Sequence, residues 1–381
     1  MVDVVVSAGI IAEIGPQAGA SASDVPGFDA GGALLLPGLV DGHIHLDKTL
    51  IGLPFIPHIP GDSVAKRIDA EKSLRRKLEM PVEKRGGLLI EKMSALGTVA
   101  ARSHVDIDTE IGLKGLEAEL WLKEHYRHLM DIQIVAFPQS GILRDPGTAE
   151  LIDAAIAAGA DLVGGLDPAG IDGDVAGHLD VVFGIAEKHG VGVDLHLHDG
   201  GALGAFEIRQ IAERTIAAGL QGKVVVSHAF SLGELTDSDF GRTAELLARA
   251  DVAIMTTGPG GVSMPPVKRL RAAGVRVFSG NDNIRDAWSP LGTGDLLERA
   301  AILCDRQDYR SDEDLELAFR LVSEEPSVVI GRGSGHLEVG APADFVLLPV
   351  ASIAEAVAER PRQRTVFKRG RNVAPSAGTA A

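Results

Sequence analysis

Short apolar runs alternate with amphipathic segments through the middle of this chain. The runs have the length of strands, and between them apolar residues recur every three or four positions, as in 146–159. Strands that alternate with helices form parallel βαβ units, and eight such units over about 290 residues predict a closed (β/α)8 TIM barrel. The eight runs are 39–45, 97–107, 131–138, 161–166, 191–198, 223–228, 252–257 and 275–280.

Both ends of the chain return to β-structure. Two apolar runs near the start of the sequence are typical of strands: 2–15, around Gly9, and 32–36, before Pro37. Two more lie near the end of the sequence, at 337–349 and 364–373. The later pair is expected to be joined by turns, and residues 374–381 are expected to be frayed. We predict one small β-sandwich domain made of both ends, with the boundaries 1–37 and 330–381, beside a barrel of residues 38–329.

The charge and the cysteine content limit the partners and the compartment. Acidic residues outnumber basic ones by 53 to 37, and the formal net charge of −16 argues against binding to nucleic acid or to an anionic membrane. The single cysteine, Cys304, permits no intrachain disulfide and fits a reducing compartment. Because the sequence has neither a signal-like start nor an apolar run of membrane-spanning length, we expect a soluble, cytoplasmic protein.

Side chains that bind metals or transfer protons stand at the ends of the predicted strands. The first run ends in His43 and His45, whose spacing places both imidazoles on one side of a strand. In a barrel the carboxyl ends of the strands form the active site, and imidazole with carboxylate suits zinc or a similar divalent ion. A hydrogen-bonded core role fits a lone histidine such as His228 better than it fits this pair. The fifth, sixth and eighth runs end with His196, His198, Asp199, His228 and Asp282.

Several motifs resemble one branch of a known superfamily. PGLVDGHIHLD at 37–47 is followed by HLHD at 196–199, SH at 227–228 and GNDNIRDAWSP at 280–290. Together they are similar to the cytosine deaminase-like branch of the amidohydrolases. The resemblance extends over nearly the whole chain, and the stretches 131–143 and 280–297 are specific to this branch.

The resemblance implies a metal centre and an oligomer. The metal ligands it implies are His43, His45, His196 and Asp282. The fourth predicted strand contains no lysine, so the bridging carbamylated lysine of two-metal relatives is missing and one divalent metal is expected. Zinc is the first choice, with iron or manganese left open because this ligand set accepts several divalent ions. Barrels of this branch are often homo-oligomers, and we expect the same here.

The resemblance also implies how a substrate is held. His228 is expected beside the metal-bound water, Gln139 at a substrate carbonyl or ring nitrogen, and Trp288 as an apolar wall over the ring. Lys48, His198 and Asn283 depart from cytosine deaminase and match triazine-ring enzymes of the same branch. The residues expected at the substrate are therefore Gln139, Asn283, Trp288 and Lys48, although Asn283 suits a turn equally well.

The expected reaction leaves the proton donor open. A metal lowers the pKa of its water to about 7; Asp282 then accepts the water proton while His228 orients the nucleophile. His198 is the first choice of donor because imidazole both takes and gives protons near neutral pH. Lys48 and Asp199 are alternatives, but Lys48 also suits a solvated loop and Asp199 a helix N-cap. His104 and Asp106 suit either a supporting role behind the ligands or a purely structural one.

These residues predict a metal-dependent hydrolase that acts on non-peptide C–N bonds. The expected activity is that of a deaminase or aminohydrolase, which releases ammonia or an amine from a small N-heterocycle of the triazine, pyrimidine or cyclic-urea type. Hydrolysis of a cyclic or exocyclic amide is the alternative within enzymes. A non-catalytic scaffold would be expected to have lost ligands, and all four are present.

Overall fold

The computed structural model describes residues 2–19, 26–59 and 61–373, so the predicted frayed end at 374–381 lies outside the described residues. Within these ranges the strands are β1 (Asp3–Ser7), β2 (Ile10–Gly15), β3 (Leu34–Pro37), β4 (Leu39–Ile44), β5 (Thr98–Asp106), β6 (Asp131–Phe137), β7 (Leu162–Leu166), β8 (Gly192–Leu197), β9 (Val224–His228), β10 (Val252–Met255), β11 (Val277–Phe278), β12 (Phe345–Leu348), β13 (Thr365–Lys368) and β14 (Arg371–Asn372).

The helices lie between the strands, and their ends follow ordinary capping chemistry. In α5, for example, the Asp174 side chain accepts from the backbone N–H of Gly177, and Gly190 ends the helix in the left-handed conformation. In the described ranges the helices are α1 (Val64–Arg75), α2 (Val82–Ala95), α3 (Lys114–His125), α4 (Thr148–Ala158), α5 (Val175–His189), α6 (Gly201–Ala218), α7 (Asp237–Arg249), α8 (Val267–Ala272), α9 (Leu296–Gln307), α10 (Asp312–Arg320), α11 (Glu324–Val329) and α12 (Ile353–Glu359), with a 3-10 helix at Phe230–Gly233.

Strands β4 to β11 form a parallel sheet in sequence order, and the sheet closes on itself. Closure joins β4 to the residues just after β11: the N–H of Gly42 donates to Ser279 O at 3.1 Å, and the N–H of Asp282 donates to His43 O at 2.7 Å. A Cβ at Gly280 would lie 2.4 Å from His43 N, so the two backbones meet only because this residue is glycine. Each predicted run contains one barrel strand, and the (β/α)8 prediction is confirmed.

The two chain ends form β-sheets outside the barrel. An antiparallel sheet in the order β14-β13-β12-β3 joins them, and the hairpin β1-β2 is bridged to it between Ile10 and Pro342. Ile11, Phe345 and Phe367 are buried together between these sheets. This arrangement confirms a small sandwich built from both ends, while its boundaries at 37/38 and 329/330 stay a prediction.

The last third of the sequence differs from the prediction in one helix and one strand. The run 337–349 is a strand only at Phe345–Leu348, because Gly340 adopts a positive φ in a turn and Pro342 follows it. The segment expected to hold only turns contains α12, where Ser352 accepts from the N–H of Glu355 and caps the helix. None of the helices in the described ranges combines the length and the apolar character that a membrane span requires.

Candidate active site

The four side chains implied as metal ligands come together at the carboxyl end of the barrel. His43 lies in β4 with His45 just beyond it, His196 lies in β8, and Asp282 lies in the closing segment. Asp282 Oδ1 is 3.6 Å from His43 Nε2 and 3.3 Å from His45 Nε2, and the Nε2 atoms of His45 and His196 are 3.4 Å apart. Ligands at ~2.0–2.2 Å from zinc and at tetrahedral angles lie about 3.3–3.6 Å from one another, so the observed separations fit a four-ligand metal site.

Hydrogen bonds behind the rings determine which nitrogen of two ligands faces the site. The single hydroxyl proton of Ser227 is donated to Asp194 Oδ1 at 2.8 Å, so the Ser227 oxygen accepts from His43 Nδ1 at 3.1 Å. His45 Nδ1 lies 2.9 Å from the backbone carbonyl oxygen of His104, which can only accept. Both rings therefore carry a proton on Nδ1 and direct the Nε2 lone pair into the cluster, as a metal ligand must.

The ionisation of the cluster also suits a cation. Burial, reinforced by the neighbouring imidazoles, holds the pKa of His43 and of His196 well below the usual value, so both rings are neutral. Burial alone would raise the pKa of Asp282, but the imidazoles around it, including the protonatable ring of His198, lower that pKa to about 2. His43 Nε2 is buried and has no hydrogen-bond partner among the described residues. Neutral imidazoles, an ionised carboxylate and an unpartnered inward nitrogen fit a divalent metal.

His228 lies at the edge of this cluster, at the end of β9. One of its ring nitrogens is within 4.8 Å of ligand atoms of His43 and Asp282. Its φ of 73° and that of Ala229, 47°, are both left-handed, a strained arrangement that turns the side chain at the strand end. Burial, together with the charge of His198, lowers the pKa of His228 to about 3. The structure therefore presents a neutral imidazole beside the ligands.

His198 is oriented by a carboxylate that follows β7. Its Nδ1 atom lies 2.8 Å from Asp167 Oδ2, and its backbone N–H donates to Asp167 Oδ1 at 2.5 Å. The His198 ring stacks on that of His228 with the ring centres 4.5 Å apart. Burial opposes protonation of His198, but the Asp167 carboxylate outweighs it and raises the pKa. The protonatable imidazole of His198 is therefore stacked on the neutral imidazole of His228.

Lys48 is buried, which excludes a solvated loop lysine. Its Nζ atom lies 2.8 Å from Gln139 Oε1, 2.9 Å from Asp106 Oδ1 and 3.5 Å from Glu71 Oε2. Burial alone would lower the pKa of Lys48, but the carboxylates of Asp106 and Glu71 raise it. The structure therefore holds a fixed positive charge in contact with Gln139.

Two aromatic rings border this charge. The Lys48 ammonium lies 5.4 Å from the ring centre of Phe137 and 5.5 Å from that of Trp288. Phe137 stacks on His196 with the ring centres 4.1 Å apart, and Trp288 Nε1 donates to Glu71 Oε2 at 2.6 Å. Flat apolar walls and a buried cation therefore adjoin the ligand cluster, an arrangement that suits a flat, polar ring.

Asn283 shapes the turn that follows barrel closure. Its Nδ2 atom donates to Asp286 Oδ2 at 2.7 Å, and Asp286 Oδ1 accepts from the N–H groups of Trp288 and Ser289 at 2.8 and 2.9 Å. Asn283 thereby helps to place Trp288 through Asp286. Contact between Asn283 and a substrate stays a prediction.

His104 and Asp106 end β5 behind the ligands. The ring centre of His104 is 3.9 Å from that of His43, and neither ring nitrogen of His104 has a hydrogen-bond partner in the described part of the chain. Asp106 forms the ion pair with Lys48, and burial raises its pKa to about 6 despite that pair. The structure therefore gives both residues supporting contacts with site residues.

Asp199 is turned toward the loop after β7 and does not cap α6. The residue before α6 is Gly200, which provides no side-chain cap, and Asp199 Oδ2 accepts from the N–H of Gly170 at 2.8 Å. The carboxyl group of Glu207, which is fully buried on α6, accepts from the N–H of the preceding residue, Ala169, at 2.8 Å. The helix-cap alternative is thus wrong.

Two carboxylates near the candidate ligands, those of Asp167 and Glu71, were not among the predicted site residues. Asp167 directly follows the fourth predicted strand, so the rule that identified His196 and Asp282 would have identified it too. Glu71 had no such indication, because it lies on α1, where Ile68 is the only other buried residue.

Comparison with known proteins gives the family. A profile described as "Amidohydrolase family" matches residues 92–374, well over half of the chain. The N-isopropylammelide isopropyl amidohydrolase of Pseudomonas sp. (strain ADP) is 34% identical over 350 residues, which cover 90% of this chain and 87% of the relative. The chain therefore belongs to the amidohydrolase family, and it is a hydrolase built on the barrel of that family.

Two solved structures share the fold over nearly their whole length. N-isopropylammelide isopropylaminohydrolase from Burkholderia multivorans ATCC 17616 is 43% identical with a TM-score of 0.92, over 97% of this chain and 94% of that chain. The 5-methylcytosine deaminase of Klebsiella pneumoniae, liganded with phosphonocytosine, is 27% identical with a TM-score of 0.85, over 98% of this chain and 95% of that chain. The predicted resemblance to the deaminase branch is confirmed.

Proposed function

We propose that this protein is an aminohydrolase that releases ammonia or an alkylamine from a small N-heterocycle, with an N-alkylated aminotriazine as the preferred type. The main observation behind this proposal is that a cluster of four candidate metal ligands lies beside a buried ammonium group. That ammonium group belongs to Lys48 and is hydrogen-bonded to Gln139. Triazines bearing carbonyl groups offer the electron-rich oxygens that such a cation binds. The names of the Pseudomonas and Burkholderia relatives support the same substrate type.

The proposed ligands are His43, His45, His196 and Asp282, holding one metal, with zinc as the first choice. The absence of lysine from β7 (Leu162–Leu166) supports a single ion, and separations of 3.3–3.6 Å between ligand atoms support tetrahedral binding. When bound there, a divalent metal supplies Lewis acidity and a water with a pKa of about 7.

The surrounding side chains then have distinct roles in proton transfer. Asp282, which is ionised, accepts the proton of the attacking water. His228, which is neutral, orients that water and polarises the ring carbon under attack. His198 gives a proton to the departing nitrogen: Asp167 occupies its Nδ1 atom, so Nε2 is the atom left for the substrate. The raised pKa of Lys48 makes it a poor donor, and Asp199 is engaged by the Gly170 N–H.

The remaining residues position the ring. Lys48 and Gln139 form one polar wall, and both are proposed to contact a ring oxygen or nitrogen. Trp288 covers a face of the ring, and Asn283 is proposed to contact the substrate beside it. A flat ring held this way presents its amine-bearing carbon to the ligand cluster.

The test is a turnover screen with zinc-reconstituted protein. Aminotriazines, aminopyrimidines and their N-alkyl derivatives are incubated with it, and released amine and the remaining ring are measured by mass spectrometry. We expect amine release with the ring intact. Ring opening without amine would instead indicate the amide hydrolase of the alternative prediction, and no turnover on any member would reject the proposal.

A matched pair of variants tests the donor. His198→Asn keeps a donor toward Asp167 but has no proton to give, so turnover should fall by about 10²-fold or more while zinc stays bound. His189→Asn is the control, because His189 makes an equivalent 2.8 Å contact with Asp153 on the outer helices. Equal activity in the two variants would remove His198 from the mechanism.

We also propose that the protein acts in the cytoplasm as a homo-oligomer and takes neither nucleic acid nor membrane as a partner. The single, buried Cys304 supports a reducing compartment, and the net charge of −16 supports the absence of polyanionic partners. Light scattering on the purified protein would test the oligomer: a monomer at micromolar concentration would reject it.

A further inference from the structure

Two carboxyl groups, those of Asp199 and Glu207, bind the same loop beside the site. Glu207 is fully buried on α6, and Asp199 is half-buried in the turn before that helix. The two side chains accept from the N–H groups of consecutive residues, Ala169 and Gly170, and among the described residues no N–H or hydroxyl group reaches Glu207 Oε2. A fully buried carboxyl oxygen with no donor, next to a second carboxyl group, favours a proton held between the two groups.

The pair holds two consecutive backbone N–H groups. Glu207 Oε1 accepts from the N–H of Ala169 at 2.8 Å, and Asp199 Oδ2 accepts from the N–H of Gly170 at 2.8 Å. A Cβ at Gly170 would lie 2.4 Å from Asp199 Oδ1, so the approach is too close for any side chain. The loop after β7 is therefore packed directly onto the pair.

This loop begins with the residue that orients His198. Asp167 has a left-handed φ of 36°, and its own backbone is held by an N–H bond to His196 O at 3.1 Å and by the N–H of Ile171 at 2.9 Å. The Asp167 carboxylate in turn binds both the ring and the backbone of His198. A shift of the loop would move the His198 ring.

We propose that Asp199 and Glu207, sharing one proton, are positioning residues that hold the Asp167 loop and thereby set the orientation of His198. The proposal rests on the proposed function, in which His198 is the proton donor. It assigns Asp199 a role behind the donor, and it assigns Glu207 a role that sequence reasoning did not reach.

The charges around the pair make the shared proton necessary. Asp167 faces it from the β7 loop, Glu234 binds the first N–H of α6 from just after the 3-10 helix, and in the described part of the chain His198 is the ionisable cation that acts on Asp199. Burial, with the charges of Asp199 and Asp167, raises the pKa of Glu207 to about 8. Loss of the proton above that pH places adjacent buried negative charges in contact, and we expect the loop to loosen.

Glu207→Gln tests the shared proton and keeps a side chain of nearly the same size at this position. Its amide oxygen can still accept from the Ala169 N–H, and its amide nitrogen can donate to Asp199 with no shared proton. In the zinc-loaded wild type, kcat/KM should fall at alkaline pH, and in Glu207→Gln that fall should move up by about one pH unit or more. Glu213→Gln, on the exposed face of α6, should keep the wild-type profile.

Asp199→Asn is the second variant and separates positioning from catalysis. Asparagine can accept from the Gly170 N–H and donate to Glu207, so activity at pH 7 should persist and the alkaline fall should again move up. Loss of activity at every pH, with zinc retained and the protein folded, would make Asp199 the proton donor and overturn the proposal.

Thermal unfolding gives a readout that needs no substrate. The folded-state pKa of Glu207 lies above the usual value, so its stabilising effect is present at low pH and lost as pH rises through about 8. The Tm of the zinc-loaded wild type should therefore fall relative to that of Glu207→Gln between pH 6 and pH 9.

The Tm comparison and the pH–rate profiles test different parts of the proposal. Parallel Tm curves would show that no proton is shared and would overturn the proposal. Divergent Tm curves with identical rate profiles would make the pair merely structural and would also overturn it. If no substrate turns over in the screen, the proposed function fails, whereas the Tm comparison still judges the shared proton.

Discussion

Ser227→Ala removes the group that fixes the orientation of one proposed metal ligand, His43. The Ser227 hydroxyl links His43 Nδ1, at 3.1 Å, to Asp194 Oδ1, at 2.8 Å. Asp194 is held from its other oxygen by Arg102 Nη1 at 2.8 Å, so the carboxylate stays paired after the substitution. The direct loss therefore falls on the His43 ring, whose Nδ1–H is left buried without an acceptor.

The size of the effect follows from that orphaned donor. A buried N–H without a partner costs about 1–3 kcal/mol, and the ring can escape the cost by turning or by moving its proton to Nε2. Either change takes the lone pair away from the metal. Removal of such supporting groups typically weakens metal binding by about 10- to 100-fold, which corresponds to about 1.4–2.8 kcal/mol.

A zinc titration against a competing chelator measures this loss directly. We expect a Kd for zinc raised by about 10- to 100-fold in Ser227→Ala. The matched control is Ser231→Ala: Ser231 is also fully buried, in the 3-10 helix that follows β9, but its hydroxyl has no hydrogen-bond partner in the described ranges. A zinc affinity equal in both variants and in the wild type would refute the tautomer argument.

Four further substitutions separate metal binding from substrate binding. His196→Ala should lose most of its zinc on dialysis, whereas His228→Ala should retain it; zinc retention in both would remove His196 from the ligand set. Lys48→Met should lower kcat/KM by about 10- to 100-fold, the loss of one charge-assisted hydrogen bond, with zinc content unchanged, and Lys66→Met at an exposed site is its control. Trp288→Leu should raise KM more than it lowers kcat, because it removes a wall of the ring site; an unchanged KM would place the substrate elsewhere.

The barrel could be predicted from the sequence because each strand is buried on both faces. In β5 every residue from Thr98 to Asp106 is buried, so the apolar run reports the strand itself. The end of the barrel was harder. β11 contains only Val277 and Phe278, since the chain then leaves the strand path through Gly280 to bring Asp282 beside Ile44. The apolar run alone therefore could not predict where the strand ends.

The convergence of the candidate ligands could be predicted for the same reason that the barrel could. The carboxyl ends of parallel strands all lie at the same end of the barrel, so the histidines at the ends of β4 and β8 have to converge. The partners of Lys48 could not be predicted this way. Glu71 comes from α1, and its other contact, Trp288, is 217 positions away in the sequence. Nothing local in α1 indicates which of its acidic residues turns inward.

The same division between strands and connections separates the proposed metal ligands from the proposed substrate contacts. His43 and His196 sit in strands whose backbones are paired on both sides, and Asp282 is fixed by the bond that closes the barrel. Lys48 and Trp288 belong to connections, where no strand pairing fixes the backbone and contacts with other side chains hold them. Substitutions in the strands should therefore change metal affinity, and substitutions in the connections should change which ring is accepted. With the proposed ligands in the strands, we expect that the ring site can be rebuilt in the connections without moving a ligand.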